Sequence, residues 1–260
     1  MTGAICYLSL VAVRAEPSGK AEMVNQLLFG DIVEIVDNFD HWCKIRTLFD
    51  SYEGWCDQKQ IHQLTDETLE VLKGSSLRVV TDITGLLSTQ GKPGLPVVMG
   101  SNLYTLSNGL IAGPHGDYHL TEGESNTPEL LNTEEIAETA SLYLNAPYLW
   151  GGRSPFGIDC SGLVQIVFKM KGIILKRDAA QQAKQGSLIN LIEESRSGDV
   201  AFFDNEEGKI IHTGIITGRG SIIHASGEVR VDPLDHHGIF NKKAGKYSHK
   251  LRVIKRYAEI

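Results

Sequence analysis

Tyr148-Leu149-Trp150-Gly151-Gly152-Arg153-Ser154-Pro155-Phe156-Gly157-Ile158-Asp159-Cys160-Ser161-Gly162 reads as a loop that delivers a cysteine to the start of a helix. Gly151, Gly152, Pro155 and Gly157 punctuate the loop. From Cys160 onward Leu163, Val164, Val167 and Phe168 recur at helical spacing, an amphipathic run that Gly172 closes. Cys160 therefore stands at, or one step inside, a helix N-terminus, where unpaired N–H groups and the positive end of the helix dipole favour thiolate. A free cysteine titrates near about 8.5, and such a setting can lower that to roughly 3.5–7.5, enough for a nucleophile at neutral pH. Taken alone, Cys160 reads equally well as a small apolar residue buried for packing.

A nucleophilic cysteine needs a base. In Ile210-Ile211-His212-Thr213-Gly214-Ile215-Ile216, strand alternation puts His212 on one face with Gly214 and Ile216. Gly214 removes a side chain beside it, so that a helix or substrate can come close. In the next strand, Ser221-Ile222-Ile223-His224-Ala225, His224 falls opposite His212 if the hairpin register is right. A cysteine on a helix N-terminus, a histidine to take its proton and a polar group to hold that histidine make the general triad. Each histidine by itself is compatible with a purely structural role; their joint pattern points to catalysis. His236 and His237, beside Asp235 and Gly238, read as solvated surface with no metal set around them.

The rest of the chain sets bounds. Its 260 residues suggest one to three compact units, and 42% apolar with 22% charged residues is ordinary for a globular protein with a real core. A net charge of -7 recommends neither a nucleic-acid partner nor an anionic membrane surface. No apolar run approaches the roughly 18 residues of a membrane span, so no membrane insertion is expected. If Met1 is the native start, the expected location is the cytoplasm; if a leader was removed, it is periplasmic or secreted. Cys6, Cys43, Cys56 and Cys160 show no metal-binding spacing, so neither a metal nor another cofactor is expected. A Cys43–Cys56 bridge is conceivable, although free thiols are favoured.

Residues 1–64 carry short strands separated by turns at about 8–12-residue spacing, the cadence of a small β barrel. Residues 65–126 carry strand-like runs at 77–80, 95–99 and 103–106, for which a second, degenerate barrel is expected partly by analogy. From residue 127 the texture becomes α+β. Asn132 and Glu135 read as a capping box before a helical face of Ile136, Ala137, Ala140, Ser141 and Leu144. A short helix at 178–183 follows, then strands at 200–203, 210–217, 221–225 and 251–257, with Gly218-Arg219-Gly220 as a hairpin connection.

Asp159-Cys160-Ser161-Gly162, Gly198-Asp199-Val200-Ala201-Phe202-Phe203, His212-Thr213-Gly214-Ile215 and Ile223-His224-Ala225 resemble the NlpC/P60 cysteine peptidases in order and spacing. Val13-Arg14-Ala15-Glu16-Pro17, Leu28-Phe29-Gly30-Asp31 and Tyr52-Glu53-Gly54-Trp55-Cys56 resemble the bacterial SH3-like (SH3b) module. Together they imply a papain-like NlpC/P60 catalytic domain over 127–260 preceded by two small SH3-like β barrels, over 1–64 and 65–126. This is the layout of the YkfC-like γ-D-glutamyl-L-diamino acid endopeptidases. The resemblance implies Cys160 as nucleophile, His212 as general base, His224 as the orienting residue and Tyr148 as an oxyanion donor. It also implies Asp159, Ser161, Trp150, Arg177, Tyr52 and Glu16 (or Glu22) as substrate-binding residues. In that reading Asp159 supplies charge to a substrate amine, or serves as a helix N-cap, or both. Arg177 offers a bidentate contact to a substrate carboxylate or forms an ion pair. Thr213 stands where valine is common in the family. The implied partner is a murein tripeptide with a free L-Ala amine or a related cell-wall peptide, met by a monomer. Polymeric cell wall as substrate, or a silent wall-binding protein, are the alternatives.

Overall fold

The computed structural model describes residues 2–129, 132–218 and 220–258. Met1 and Arg219, on which the start and the hairpin connection turn, lie outside the described residues. The chain forms two compact units, Met1–Pro128 with Trp150–Pro155, and Glu129–Leu149 with Phe156–Ile260.

In the N-terminal unit the SH3b-like residues form β1 (Thr2–Ile5), β2 (Leu10–Arg14), β3 (Met23–Leu28), β4 (Ile32–Phe39), β5 (Trp42–Thr47), β6 (Glu53–Asp57) and β7 (His62–Gln63). Their spatial order is β3-β2-β6-β5-β4-β1-β7. Alternation turns Val11, Val13, Cys43, Ile45 and Cys56 inward with Ala4, Cys6, Leu27 and Val33. Cys43 lies opposite Cys56 across β5 and β6, and both are free thiols.

Thr65 caps α1 (Asp66–Gly74), accepting from the Thr68 amide at 3.1 Å. Then come β8 (Ser76–Val80), β9 (Thr84–Ser88), β10 (Leu95–Val98), β11 (Asn102–Thr105), β12 (Ile111–Gly113), β13 (Gly116–Glu122) and β14 (Ser125–Asn126). They make one antiparallel sheet in the order β10-β9-β13-β12-β11-β8-β14. The second barrel expected over these residues is met only as far as this seven-stranded sheet. Ile5, Tyr7 and Phe29 of the first segment share a core with Leu72, Val80 and Leu103 of the second. At their junction Gly30 has φ of +80°, and a Cβ there would collide with the Asn102 carbonyl. Buried Asp31 accepts from the Leu28 amide at 3.0 Å, Asn102 Nδ2 at 3.2 Å and the Arg153 guanidinium at 2.9 Å. Arg153 is buried as well, so each charge offsets the other's desolvation.

The C-terminal unit carries α2 (Glu134–Ser141), α3 (Cys160–Met170) and α4 (Ala179–Gln182). The two-residue strands β15 (Arg153–Ser154) and β16 (Gly157–Ile158) precede α3 along the chain. The unit's sheet comprises β17 (Ser187–Ile189), β18 (Val200–Asp204), β19 (Ile210–Gly218), β20 (Ser221–Ser226), β21 (Glu228–Asp235), β22 (Gly238–Asn241) and β23 (Lys246–Arg256). The order is β17-β23-β18-β19-β20-β21-β22, and β22 also pairs with β23, closing six strands into a ring. Ala201, Phe203, Ile216, Ile222, Leu234, Ile239 and Ile254 fill one core of this sheet.

The amphipathic run read from the spacing forms α3, but α3 has no solvent face. Every residue from Cys160 to Met170 is buried, Gln165 and Lys169 included. It packs against β19, β20 and α2, and Gln165 Nε2 donates to the Leu175 carbonyl at 3.1 Å. Burying each large apolar side chain along it contributes roughly 1.5–3 kcal/mol, which fixes the position of its N-terminus. In α2, Ile136, Ala137 and Ala140 face inward as expected, but Ser141 and Leu144 are exposed, and Tyr143, just past the helix, is buried instead. No helix among the described residues is long and apolar enough to cross a membrane.

Candidate active site

Asp159 has extended backbone and caps α3, its Oδ1 accepting from the Gly162 amide at 2.6 Å. Cys160 is thereby the first helical residue, and its own N–H is one of the donors a helix start leaves unmatched. Backbone hydrogen bonds from Thr213 and Ser161 reach the sulfur, so it lies beside β19 at the residue next to His212. The low thiol pKa expected of a helix N-terminus does not result. Burial, followed by the Asp159 charge, pushes the Cys160 thiol up to about 12, outweighing the two amides and Arg177.

His212 and His224 share one face of the β19–β20 pair. The register pairs Ile215 with Ile223, and its continuation sets Gly214 opposite His224. His224 is thus diagonal to His212 rather than directly across from it. The diagonal is still within reach of two imidazoles: His212 Nε2 and His224 Nδ1 are 2.8 Å apart. Gly214 leaves space that this contact uses. A Cβ on it would lie 2.8 Å from His224 Cβ and 2.8 Å from the Ile223 carbonyl oxygen. Both rings are buried. Burial holds His212 well below the usual histidine range and lowers His224 to about 4, so both are neutral at pH 7. Thr213 meets the Ala201 carbonyl at 3.0 Å through its hydroxyl, which satisfies the polar group placed where valine is common.

Asp159 is tied to Arg177 as well as to the helix. Nη1 of Arg177 lies 2.9 Å from Asp159 Oδ1 and Nη2 lies 2.6 Å from Oδ2, with both side chains buried. Nη1 also donates to the Ser161 hydroxyl at 3.0 Å. The bidentate fork expected on a substrate carboxylate is therefore seen on Asp159. Tyr148 is half-buried; its amide donates to the Gly227 carbonyl at 2.9 Å. Burial, then the proximity of Cys160 and Asp159, pushes its phenol up to about 12, so it is a hydrogen-bond donor at neutral pH. Trp150, Tyr52 and Glu16 belong to the N-terminal unit. Trp150 and Glu16 are exposed, and Tyr52 is half-buried with its amide on Thr47 Oγ1 at 2.9 Å.

Residues 145–247 match the model of the NlpC/P60 family, and residues 13–61 match the model of the bacterial dipeptidyl-peptidase Sh3 domain. The C-terminal unit belongs to the NlpC/P60 family. The chain is a cysteine hydrolase that carries an NlpC/P60 domain and an SH3b-like N-terminal module. Dipeptidyl-peptidase 6 of Lysinibacillus sphaericus is 28% identical over 257 residues, which cover 89% of this chain and 92% of that protein. The γ-D-glutamyl-L-lysine dipeptidyl-peptidase of Bacillus cereus is 27% identical over 256 residues, 86% of this chain and 74% of that protein. A solved NlpC/P60 family protein from Bacillus cereus superposes with a TM-score of 0.84, covering 98% of this chain and 99% of its own. At 21% identity that likeness concerns the fold alone.

The NlpC/P60 unit holds three residues near the histidines that sequence reasoning missed. His224 Nε2 lies 3.1 Å from Asp232 Oδ2, and Arg230 Nε donates to that same oxygen at 2.9 Å. His249 stacks on His212, with ring centroids 4.0 Å apart and planes 22° apart. Ring nitrogens of His212, His224 and His249 lie within 4.8 Å of one another, as do donor atoms of Asp235, His236 and His237. The second grouping was not expected from the sequence. In the first, His212 Nε2 and both His224 nitrogens are already hydrogen-bonded. In the second, Asp235 accepts from the Tyr247 hydroxyl and from the His237 and Gly238 amides.

Proposed function

We propose that this peptidase is a YkfC-like γ-D-glutamyl-L-diamino acid endopeptidase. It would cut murein peptides between D-Glu and the diamino acid when the L-Ala amine is free. What supports the chemistry most is the sulfur at the start of α3 beside β19, with His212 and His224 in hydrogen-bonded line on that strand and the next. The specificity is supported by the names of two relatives, a dipeptidyl-peptidase and a γ-D-glutamyl-L-lysine dipeptidyl-peptidase. An enzyme releasing L-Ala-γ-D-Glu as a dipeptide must sense a free amine two residues from the cut.

With thiol and imidazole both neutral at rest, His212 takes the sulfur's proton as the sulfur attacks the γ-carbonyl of D-Glu. The Cys160 N–H and the Tyr148 hydroxyl serve as donors to the oxyanion. His212 then protonates the departing α-amine of the diamino acid, leaving a thioester on Cys160. Water, deprotonated by His212, hydrolyses that thioester and frees the dipeptide. Substrate-binding roles for Asp159, Ser161, Arg177, Trp150, Tyr52 and Glu16 belong to the same proposal. Asp159 and Ser161 would act there through the wall they build with Arg177.

The test is release of the diamino acid from L-Ala-γ-D-Glu-L-Lys and from its diaminopimelate counterpart, each with and without N-acetylation. Release from the free peptides alone, and none by Cys160→Ala, is expected. Equal turnover of acetylated peptide contradicts amine recognition, and release only from polymeric wall favours a cell-wall endopeptidase.

A further inference from the structure

Asp232 stands behind the histidine pair, on β21, where its Oδ2 receives both His224 Nε2 and Arg230 Nε. Arg230 also donates to the Ser226 carbonyl. The guanidinium is thus anchored at two points of the β20–β21 hairpin. Burial alone would raise the Asp232 carboxyl, but the hydrogen bonds from His224 and Arg230 hold it below its usual range. Ionised, it has no proton to give, and Arg230 cannot accept one.

Those facts orient every proton in the line. A neutral imidazole carries one N–H. Facing a carboxylate, His224 must carry it on Nε2, which leaves Nδ1 bare. A bare Nδ1 at 2.8 Å from His212 Nε2 demands that His212 carry its own proton on Nε2. His212 Nδ1 is then bare and presents a lone pair. We propose that Asp232 is a positioning residue that fixes, through His224, the tautomer of His212, so that Nδ1 of His212 is the proton acceptor for Cys160.

The inference rests on the cysteine–histidine chemistry proposed above. In that step the S–H bond breaks and an Nδ1–H bond forms. His212 becomes an imidazolium whose Nε2–H still donates to His224, and the Asp232 charge stabilises it from the far side of that ring. The Nδ1 proton goes to the leaving amine, and His212 returns to its starting tautomer. Reversing the tautomers would put an N–H where the thiol needs an acceptor.

The test is the ¹⁵N spectrum of histidine-labelled protein at pH 7, assigned with His212→Gln and His224→Gln. Both rings are expected as Nε2–H tautomers, a result read in the unmodified chain, with the two Gln variants serving only to assign the signals. An Nδ1–H tautomer at His212 overturns the proposal. In Asp232→Leu, both rings are expected to shift toward Nδ1–H, with kcat falling by roughly 10²–10⁴-fold and KM little changed. In Asp232→Asn, whose amide oxygen can still accept, part of the Nε2–H population and of the activity should return. A folded Asp232→Leu protein whose tautomers match the parent overturns it as well. The spectrum is read without substrate, so its failure is distinct from failure of the substrate assignment, which is read in product release.

Discussion

The imidazole of His249 lies face to face with that of His212, centroids 4.0 Å and planes 22° apart. His249 is itself half-buried, and after desolvation its charge is the largest contribution lowering His212. Removing it, as in His249→Ala, admits solvent to His212 and deletes a like charge, and both changes raise the pKa of the base. Because the base must be neutral, the acid limb of kcat/KM should move to higher pH, toward about 6.5. The check is a pH–rate profile of the variant beside the parent, whose own limb should lie well below that value. An unmoved limb would show that the stacked ring has no electrostatic effect on His212.

Alkylation reads the sulfur directly. With the thiol pushed up to about 12, iodoacetamide should modify Cys160 slowly at pH 7, and the rate should still be rising through pH 9. Peptide mapping separates this signal from Cys6, Cys43 and Cys56, which are also buried. A rate that levels off below pH 7 would mean a preformed thiolate and would contradict the neutral resting pair.

Acid should destabilise the fold before the carboxylates titrate. His224 has a folded pKa of about 4 against an ordinary 6.5, so the unfolded chain binds its proton first. The associated stability is fully present above pH 6.5 and is lost as pH falls toward 4, a loss on the order of 3 kcal/mol. His212, lowered by the same burial, acts in the same direction. Urea unfolding at pH 7, 5.5 and 4.5 measures it, and His224→Phe should flatten the dependence. A midpoint independent of pH over this window would refute it.

Arg177 and Asp159 form a buried bidentate pair under the first turn of α3. Replacing Arg177 by Met leaves the carboxylate buried without its partner, a loss of about 3–5 kcal/mol. Adding Asp159→Leu should restore part of that, less the cap that Asp159 supplies to the Gly162 amide. Thermal unfolding of the two single variants and the double variant gives the coupling. Additive losses would show that the pair is not an energetic unit.

The parts of this site that were legible in the sequence were those written locally. A glycine-rich loop before an apolar run at helical spacing located Cys160, and short alternating β-branched strands located His212 and His224. Asp232 was missed because β21 reads Glu-Val-Arg-Val-Asp-Pro-Leu-Asp, whose charges and Pro233 obscure a strand that only its register with β20 reveals. His249 was missed because the first half of β23, from Lys246 to Lys250, is polar throughout, and the strand was expected to begin at Leu251. The pairing of Asp159 with Arg177, 18 positions apart, follows no periodicity; it arises from how α3 meets the segment before α4. Desolvation of Cys160 was likewise invisible, since helix position speaks for the dipole and not for what packs over the sulfur.

The central claim, that Cys160 carries the acyl group of the γ-glutamyl bond, is tested most directly by trapping it. The enzyme is mixed with L-Ala-γ-D-Glu-L-Lys, quenched in acid within the first turnover and examined by intact mass and peptide mapping. The account predicts an adduct of L-Ala-γ-D-Glu, less one water, on the peptide containing Cys160 and no adduct in Cys160→Ala. An adduct on another residue, or continued release of lysine by Cys160→Ala, would contradict it.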